Sequence, residues 1–237
     1  MAIASAGPWG TVHLQDGEAG KASLQVKITR LLLRRLLRTL FRVQVVGLEN
    51  VPPGPVIACA NHLGWAEAFL ILAHLPAEPR VYVLGDRSTV LCNAWRTRVI
   101  DAFQVLVPVD RGKPREALRL IDDLLCRGGS LLIFPEGHIG EREGALQALQ
   151  PGAAYLSVQH GIPLLPIGVT GTRELWLRRT ITIRIGAPID PAAVAGNARS
   201  RSRTVTEQLR KSLQTLLPGD PARARCKPLR KWLTNLL

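Results

Sequence analysis

The chain has 237 residues, 46% of them hydrophobic, with 21 Gly and 17 Pro spread along it. That suits one α/β domain with appendages and excludes a disordered chain. A net charge of +13 draws polyanions such as anionic lipid, phosphorylated substrates or nucleic acid, but 5% aromatic residues leave few stacking platforms for single-stranded nucleic acid.

Residues 1–21 are small, polar and Gly-rich, and read as a flexible tail without the basic and apolar regions of a signal peptide. Residues 22–42 contain neither Gly nor Pro and read as a helix. At 100° per residue, Val26, Leu32, Leu33, Leu36, Leu37, Leu40 and Phe41 fall on one half of the wheel. Lys27, Arg30, Arg34, Arg35, Arg38 and Arg42 fall on the other. Such a helix suits an anionic membrane interface, where each cation contributes about 1 kcal/mol.

A strand then leads into a turn at Pro52, Pro53, Gly54 and Pro55, followed by a buried strand over 56–60. From there strands and helices alternate: helix 65–75, strand 80–84, helical piece 92–100, strand 103–109, helix 114–127, strand 130–134, helix 151–160, strand 163–169, strand 180–185 and helix 203–217. Alternation of this kind predicts an α/β domain over 43–217, its central sheet mainly parallel and flanked by helices. Residues 218–237 form a second basic amphipathic segment, with Trp232 beside Leu233, Leu236 and Leu237. No 18 apolar residues run uninterrupted, so no ordinary membrane span is expected. Cys59, Cys92, Cys126 and Cys226 form no C-x-x-C pair and read as free thiols, with no zinc site.

Ligands of parallel sheets gather beyond the carboxyl ends of the strands. Four apolar runs here end in polar, Gly-containing turns. Asn61 and His62 follow the first, with Glu67 just beyond; Asp110 to Arg115 follow the second; Pro135, Glu136, Gly137 and His138 the third; Thr170, Gly171, Thr172 and Arg173 the fourth. His62 can meet Glu67 only if it lies in the turn before the helix, since residues five apart on a helix diverge by about 140°. A carboxylate on one imidazole nitrogen fixes the tautomer and leaves the other to accept a proton. No nucleophilic side chain other than the strand residue Cys59 is near, so the hydroxyl to be activated belongs to a substrate. Arg111, Lys113 and Arg115, around a Gly, suit a phosphate.

N61-H62-x4-E67, VPVDR (107–111), FPEG (134–137) and IPLLPI (162–167) together resemble, in order and spacing, the four blocks of the glycerolipid acyltransferases, the 1-acylglycerol-3-phosphate (lysophosphatidic acid) acyltransferases and their relatives. The resemblance covers about residues 43–187. It implies His62 as general base on an acceptor hydroxyl, with Glu67 orienting it. It implies Asn61, Arg111, Lys113, Arg115, Phe134, Pro135, Glu136, Gly137, Pro163 and Pro166 as substrate-binding residues. The acyl donor would be a thioester, acyl-CoA or acyl carrier protein, with no resident cofactor or metal and no nucleic acid partner. A peripheral site on the cytoplasmic face of the membrane would follow. Two departures stand out: Glu67 replaces the usual Asp, and His138-Ile139 replaces Thr-Arg or Ser-Arg after Glu136-Gly137. They leave open another lysophospholipid as acceptor, or a family member that binds membranes without catalysis.

Overall fold

The computed structural model describes residues 19–86, 105–109 and 114–217. Expectations for 1–18, the helical piece 92–100 with Cys92, Arg111, Lys113, Cys226 and the segment 218–237 lie outside these residues.

Residues 19–22 pack against the chain near β3. The Tyr82 hydroxyl donates to the Ala19 carbonyl at 3.2 Å, and the Arg80 N–H to that of Gly20 at 2.8 Å. Helix α1 (Leu24–Leu40) opens on Ser23, whose hydroxyl accepts the Val26 N–H. Strand β1 (Arg42–Val46) follows directly. Then come β2 (Ile57–Ala60), α2 (Ala66–His74), β3 (Val81–Asp86), β4 (Leu106–Val109), α3 (Pro114–Cys126), β5 (Ser130–Ile133), α4 (Gly152–His160), β6 (Leu164–Thr170), β7 (Thr180–Ile185) and α5 (Ala198–Leu216). Helix α5 starts five residues earlier than its pattern predicts, because the Asn197 side chain caps it by accepting the Ser200 N–H.

Among the described residues the strands form a seven-stranded sheet in the order β1-β7-β6-β2-β5-β3-β4. Every pairing is parallel except β6 with β7, so β1 and β7 run against the other five strands. The mainly parallel α/β sheet flanked by helices is therefore present. Strand β2 lies in the middle, paired to β6 on one side and β5 on the other.

The pleat of β2 sorts its side chains to two cores. Ala58 and Ala60 face a cluster with Leu70, Ile71 and Leu72 of α2, on which α1 also packs. Ile57 and Cys59 face the opposite cluster, with Ile121 and Leu124 of α3, Leu156 of α4, and Val205, Leu209 and Leu213 of α5. Burial pushes the Cys59 thiol far up, so it stays protonated. Gly168 of β6 lets α5 approach: a Cβ there would stand 2.8 Å from Leu216 Cβ.

The apolar half expected of α1 is divided. Val26, Leu33, Leu37 and Leu40 face the domain, with Arg30 between them, buried and donating to the Leu75 carbonyl beyond the end of α2. Leu24, Ile28, Leu31, Leu32 and Leu36 face outward, Leu24 at 73% and Leu32 at 61% exposure. Arg30 thus belongs to the inner face rather than the solvated basic one, because the negative end of α2 lies beneath it. Among the described residues no helix is long and apolar enough to cross a membrane.

Candidate active site

Strands β6, β2 and β5 lie side by side and parallel, so their carboxyl ends bring three turns to one edge of the sheet. The chain leaves β2 at Ala60, turns through Asn61 to Trp65, and enters α2 at Ala66. His62 sits in that turn. Its Nδ1 stands 3.4 Å from Glu67 Oε2, within ion-pair range, without a hydrogen bond between them. The imidazole is stacked on the Phe134 ring, centroids 4.2 Å apart, and its side chain is 22% exposed. With Nδ1 turned to Glu67, Nε2 is the nitrogen left for a substrate.

Glu67 is fully buried in the first turn of α2. The oxygen nearest His62 also accepts the N–H groups of Gly64 at 2.7 Å and Leu63 at 3.3 Å. The extra methylene of Glu lets the carboxylate curl back over its own turn. Oε1 is buried without a hydrogen-bond partner among the described residues.

Asn61 is also buried. Its amide donates to the Val169 carbonyl at 3.0 Å and accepts the Val169 N–H at 2.7 Å, spanning from the end of β2 to β6. The turn after β5 is held as firmly. Gly137 closes it with φ of +74°, its N–H donating to the Phe134 carbonyl at 3.1 Å. Glu136 is buried, and each of its oxygens accepts a backbone N–H at 2.9 Å, from His62 and from Gln147. Pro135 is buried, its carbonyl accepting the Gln150 N–H.

The segment after Gly137 is tied to the same edge. The Gly140 N–H donates to the His62 carbonyl at 2.6 Å. Glu143 accepts the Gly171 N–H and stands 3.5 Å from Arg179, whose guanidinium lies 4.0 Å over the Trp176 ring. Gly171 has φ of +94°, and a Cβ there would strike the Thr180 carbonyl at 2.3 Å. Arg173, from the turn after β6, reaches the Gly140 carbonyl with one guanidinium nitrogen at 3.4 Å.

The structure thus brings together Asn61, His62, Glu67, Phe134, Pro135, Glu136 and Gly137. Arg115 stands exposed at the start of α3, after β4. Pro163 and Pro166 lie elsewhere. Pro163 precedes β6 at the sheet's amino edge, its carbonyl accepting the Ile57 N–H, and Pro166 is buried in β6 opposite Cys59. Gly140, Glu143, Gln147 and Arg173 were given no role by sequence reasoning. The sole signal was that Arg173 closes the polar turn after β6.

An acyltransferase family model matches residues 42–170, more than half of the chain. The chain belongs to the acyltransferase family. The 1-acyl-sn-glycerol-3-phosphate acyltransferase of Pseudomonas aeruginosa is 30% identical over 131 residues, covering 53% of this chain and 48% of that protein. The enzyme of that name from Chlamydomonas reinhardtii is 26% identical over 137 residues, 57% of this chain and 40% of that one. The chain spans about half the length of these curated relatives or less. The crystal structure of the 1-acyl-sn-glycerophosphate acyltransferase PlsC from Thermotoga maritima superimposes with a TM-score of 0.60 at 22% identity, over 81% of this chain and 79% of that one. That likeness establishes the shared fold.

Proposed function

We propose that this acyltransferase moves a fatty acyl group from a thioester, acyl-CoA or acyl carrier protein, to the free hydroxyl of a lyso-lipid, foremost 1-acylglycerol-3-phosphate. The observation that carries the reading is His62, placed at the carboxyl edge of β2 with Nδ1 toward the buried Glu67 carboxylate, in a chain of this family.

In this mechanism His62 Nε2 takes the proton of the acceptor hydroxyl as its oxygen attacks the thioester carbonyl carbon. Glu67 stabilises the imidazolium that forms. The tetrahedral adduct collapses, the C–S bond breaks, and the leaving thiolate takes the proton back from His62. No acyl-enzyme forms and no metal or cofactor takes part. Phe134 restrains the orientation of the imidazole plane by stacking, and Glu136 holds the two turns together through the His62 N–H. Arg111, Lys113 and Arg115 attract the acceptor's phosphate.

The acceptor is drawn from a bilayer, at the cytoplasmic face where thioester donors are found. The outward stripe Leu24, Ile28, Leu31, Leu32 and Leu36 enters the interface, with Arg35 and Arg38 beside it to meet anionic headgroups.

The test is thioester-dependent acylation of a panel of lyso-lipids by purified protein, wild type beside His62→Ala. Transfer that disappears in His62→Ala, with unchanged circular dichroism, supports the mechanism. Activity of the variant within severalfold of wild type overturns it. Absence of transfer from wild type to every acceptor would favour membrane binding without catalysis.

A further inference from the structure

We propose that Arg173 is a phosphate anchor of this site, binding a phosphate oxyanion of a substrate beside His62 and so setting headgroup preference. The inference rests on the acyl-transfer reading above and assigns a residue which that reading leaves idle.

Four observations carry it. First, Arg173 stands in the turn after β6, and β6 is the immediate neighbour of the strand that presents His62. Second, the carbonyl it touches belongs to Gly140, whose N–H is bonded to the His62 carbonyl. One residue therefore links the guanidinium to the base, and segments held by Glu136 and Glu143 fix that residue in place.

Third, Arg173 is uncommitted. Its side chain is exposed, and among the described residues it has no carboxylate partner. A guanidinium carries five N–H donors, and here a single contact, long at 3.4 Å, engages them. Arg179, also on this edge, is by contrast committed to Glu143 and Trp176. Fourth, the adjacent Thr172 is 96% buried, yet its hydroxyl has no hydrogen-bond partner among the described residues. Consecutive residues of one turn thus carry an unpartnered buried hydroxyl and a guanidinium engaged by one long contact, whose fork suits a tetrahedral oxyanion.

In 1-acylglycerol-3-phosphate the reacting hydroxyl oxygen and the phosphorus are separated by two carbons and one ester oxygen. A cation tied through Gly140 to the backbone of the turn that carries His62 is on the same edge as so short an acceptor. The donor nucleotide of acyl-CoA offers the same chemistry, and the experiment separates the two sources.

Wild type, Arg173→Gln and Arg173→Lys are compared in steady state with 1-acylglycerol-3-phosphate and with a monoacylglycerol, which lacks phosphate. Each acceptor is paired with acyl-CoA and with an acyl-N-acetylcysteamine thioester, which has none either. Losing a charge-assisted contact should raise KM for the phosphate-bearing substrate about tenfold or more in Arg173→Gln. The kcat stays within about threefold, the phosphate-free substrate is unaffected, and Arg173→Lys recovers part of the loss. A rise confined to the lipid assigns the acceptor's phosphate; a rise confined to acyl-CoA assigns the donor's. Unchanged KM for both, or kcat falling alike with every substrate, overturns the anchor while leaving the reaction standing. If wild type transfers nothing, the reaction fails instead. The anchor is then judged by calorimetric titration with micellar 1-acylglycerol-3-phosphate, which Arg173→Gln must weaken to sustain it.

Discussion

Replacing Glu67 by Gln removes one charge and almost no volume. The Gln carbonyl oxygen can occupy the Oε2 position and go on accepting the Leu63 and Gly64 N–H groups, so the turn survives. What is lost is the attraction between carboxylate and imidazolium. At 3.4 Å and an effective dielectric near 20 this is about 5 kcal/mol. Solvent reaching the partly exposed ring lowers it, and about 3–4 kcal/mol predicts a fall in kcat of ~10²- to 10³-fold. KM for the lipid should hold, because the charge pair exists only after proton transfer begins. Glu67→Ala makes the informative contrast. It removes the acceptor as well, leaving two backbone N–H groups short of a partner at about 1–3 kcal/mol each. The assay is initial-rate acyl transfer beside urea unfolding of all three proteins. Glu67→Gln with kcat within threefold of wild type would refute the charge argument. Glu67→Gln as unstable as Glu67→Ala would refute the claim that its oxygen supports the turn.

Asn61→Leu should cost about 2–4 kcal/mol in urea unfolding, since it strips both partners from the buried Val169 peptide groups. Gly168→Ala should destabilise by about 1–3 kcal/mol, its methyl pressing on Leu216 and lifting α5, read as a lower thermal midpoint. Burial, opposed by a hydrogen bond to Leu70 and reinforced by Arg34, Arg38 and Arg30, holds the His74 imidazole below its ordinary value. Its contribution is therefore complete above pH ~6.5 and is lost as pH falls from there toward the lowered folded value. His74→Leu should flatten the pH dependence of unfolding between pH 7.5 and 5, and a slope equal to wild type would contradict this. Leu31→Gln with Leu36→Gln should weaken sedimentation with anionic vesicles by at least tenfold, given about 1.5–3 kcal/mol per inserted leucine.

Local signals explain what was legible. The apolar run into β2, then two polar residues, then a helical pattern implied a turn in which His62 could meet Glu67, and the structure sets them 3.4 Å apart. Gly137 and Gly171 marked the turns after β5 and β6, and both have positive φ. What stayed hidden depends on partners distant in sequence. Arg30 looks solvated on a wheel until the end of α2 is placed beneath it. Asn61 gives no hint of its bridge until Val169 is brought alongside. Pro163 and Pro166 belong to a polar-ended run, but the direction of β6 sends them away from that end. The reversal at β7 follows from a return through the 171–179 segment that no local period encodes.

The Asn61 bridge also orders events in time. It joins residues 108 positions apart, and Glu136 reaches the His62 N–H across 74. At about 5–20 residues per second, a growing chain releases His62 some 5–20 s before Val169. Through that interval β2 lacks β6, and the turn after it lacks its brace. The turn is therefore braced only with the last central strand, so a ribosome-stalled chain ending short of β6 carries His62 and Glu67 without the Asn61–Val169 bridge.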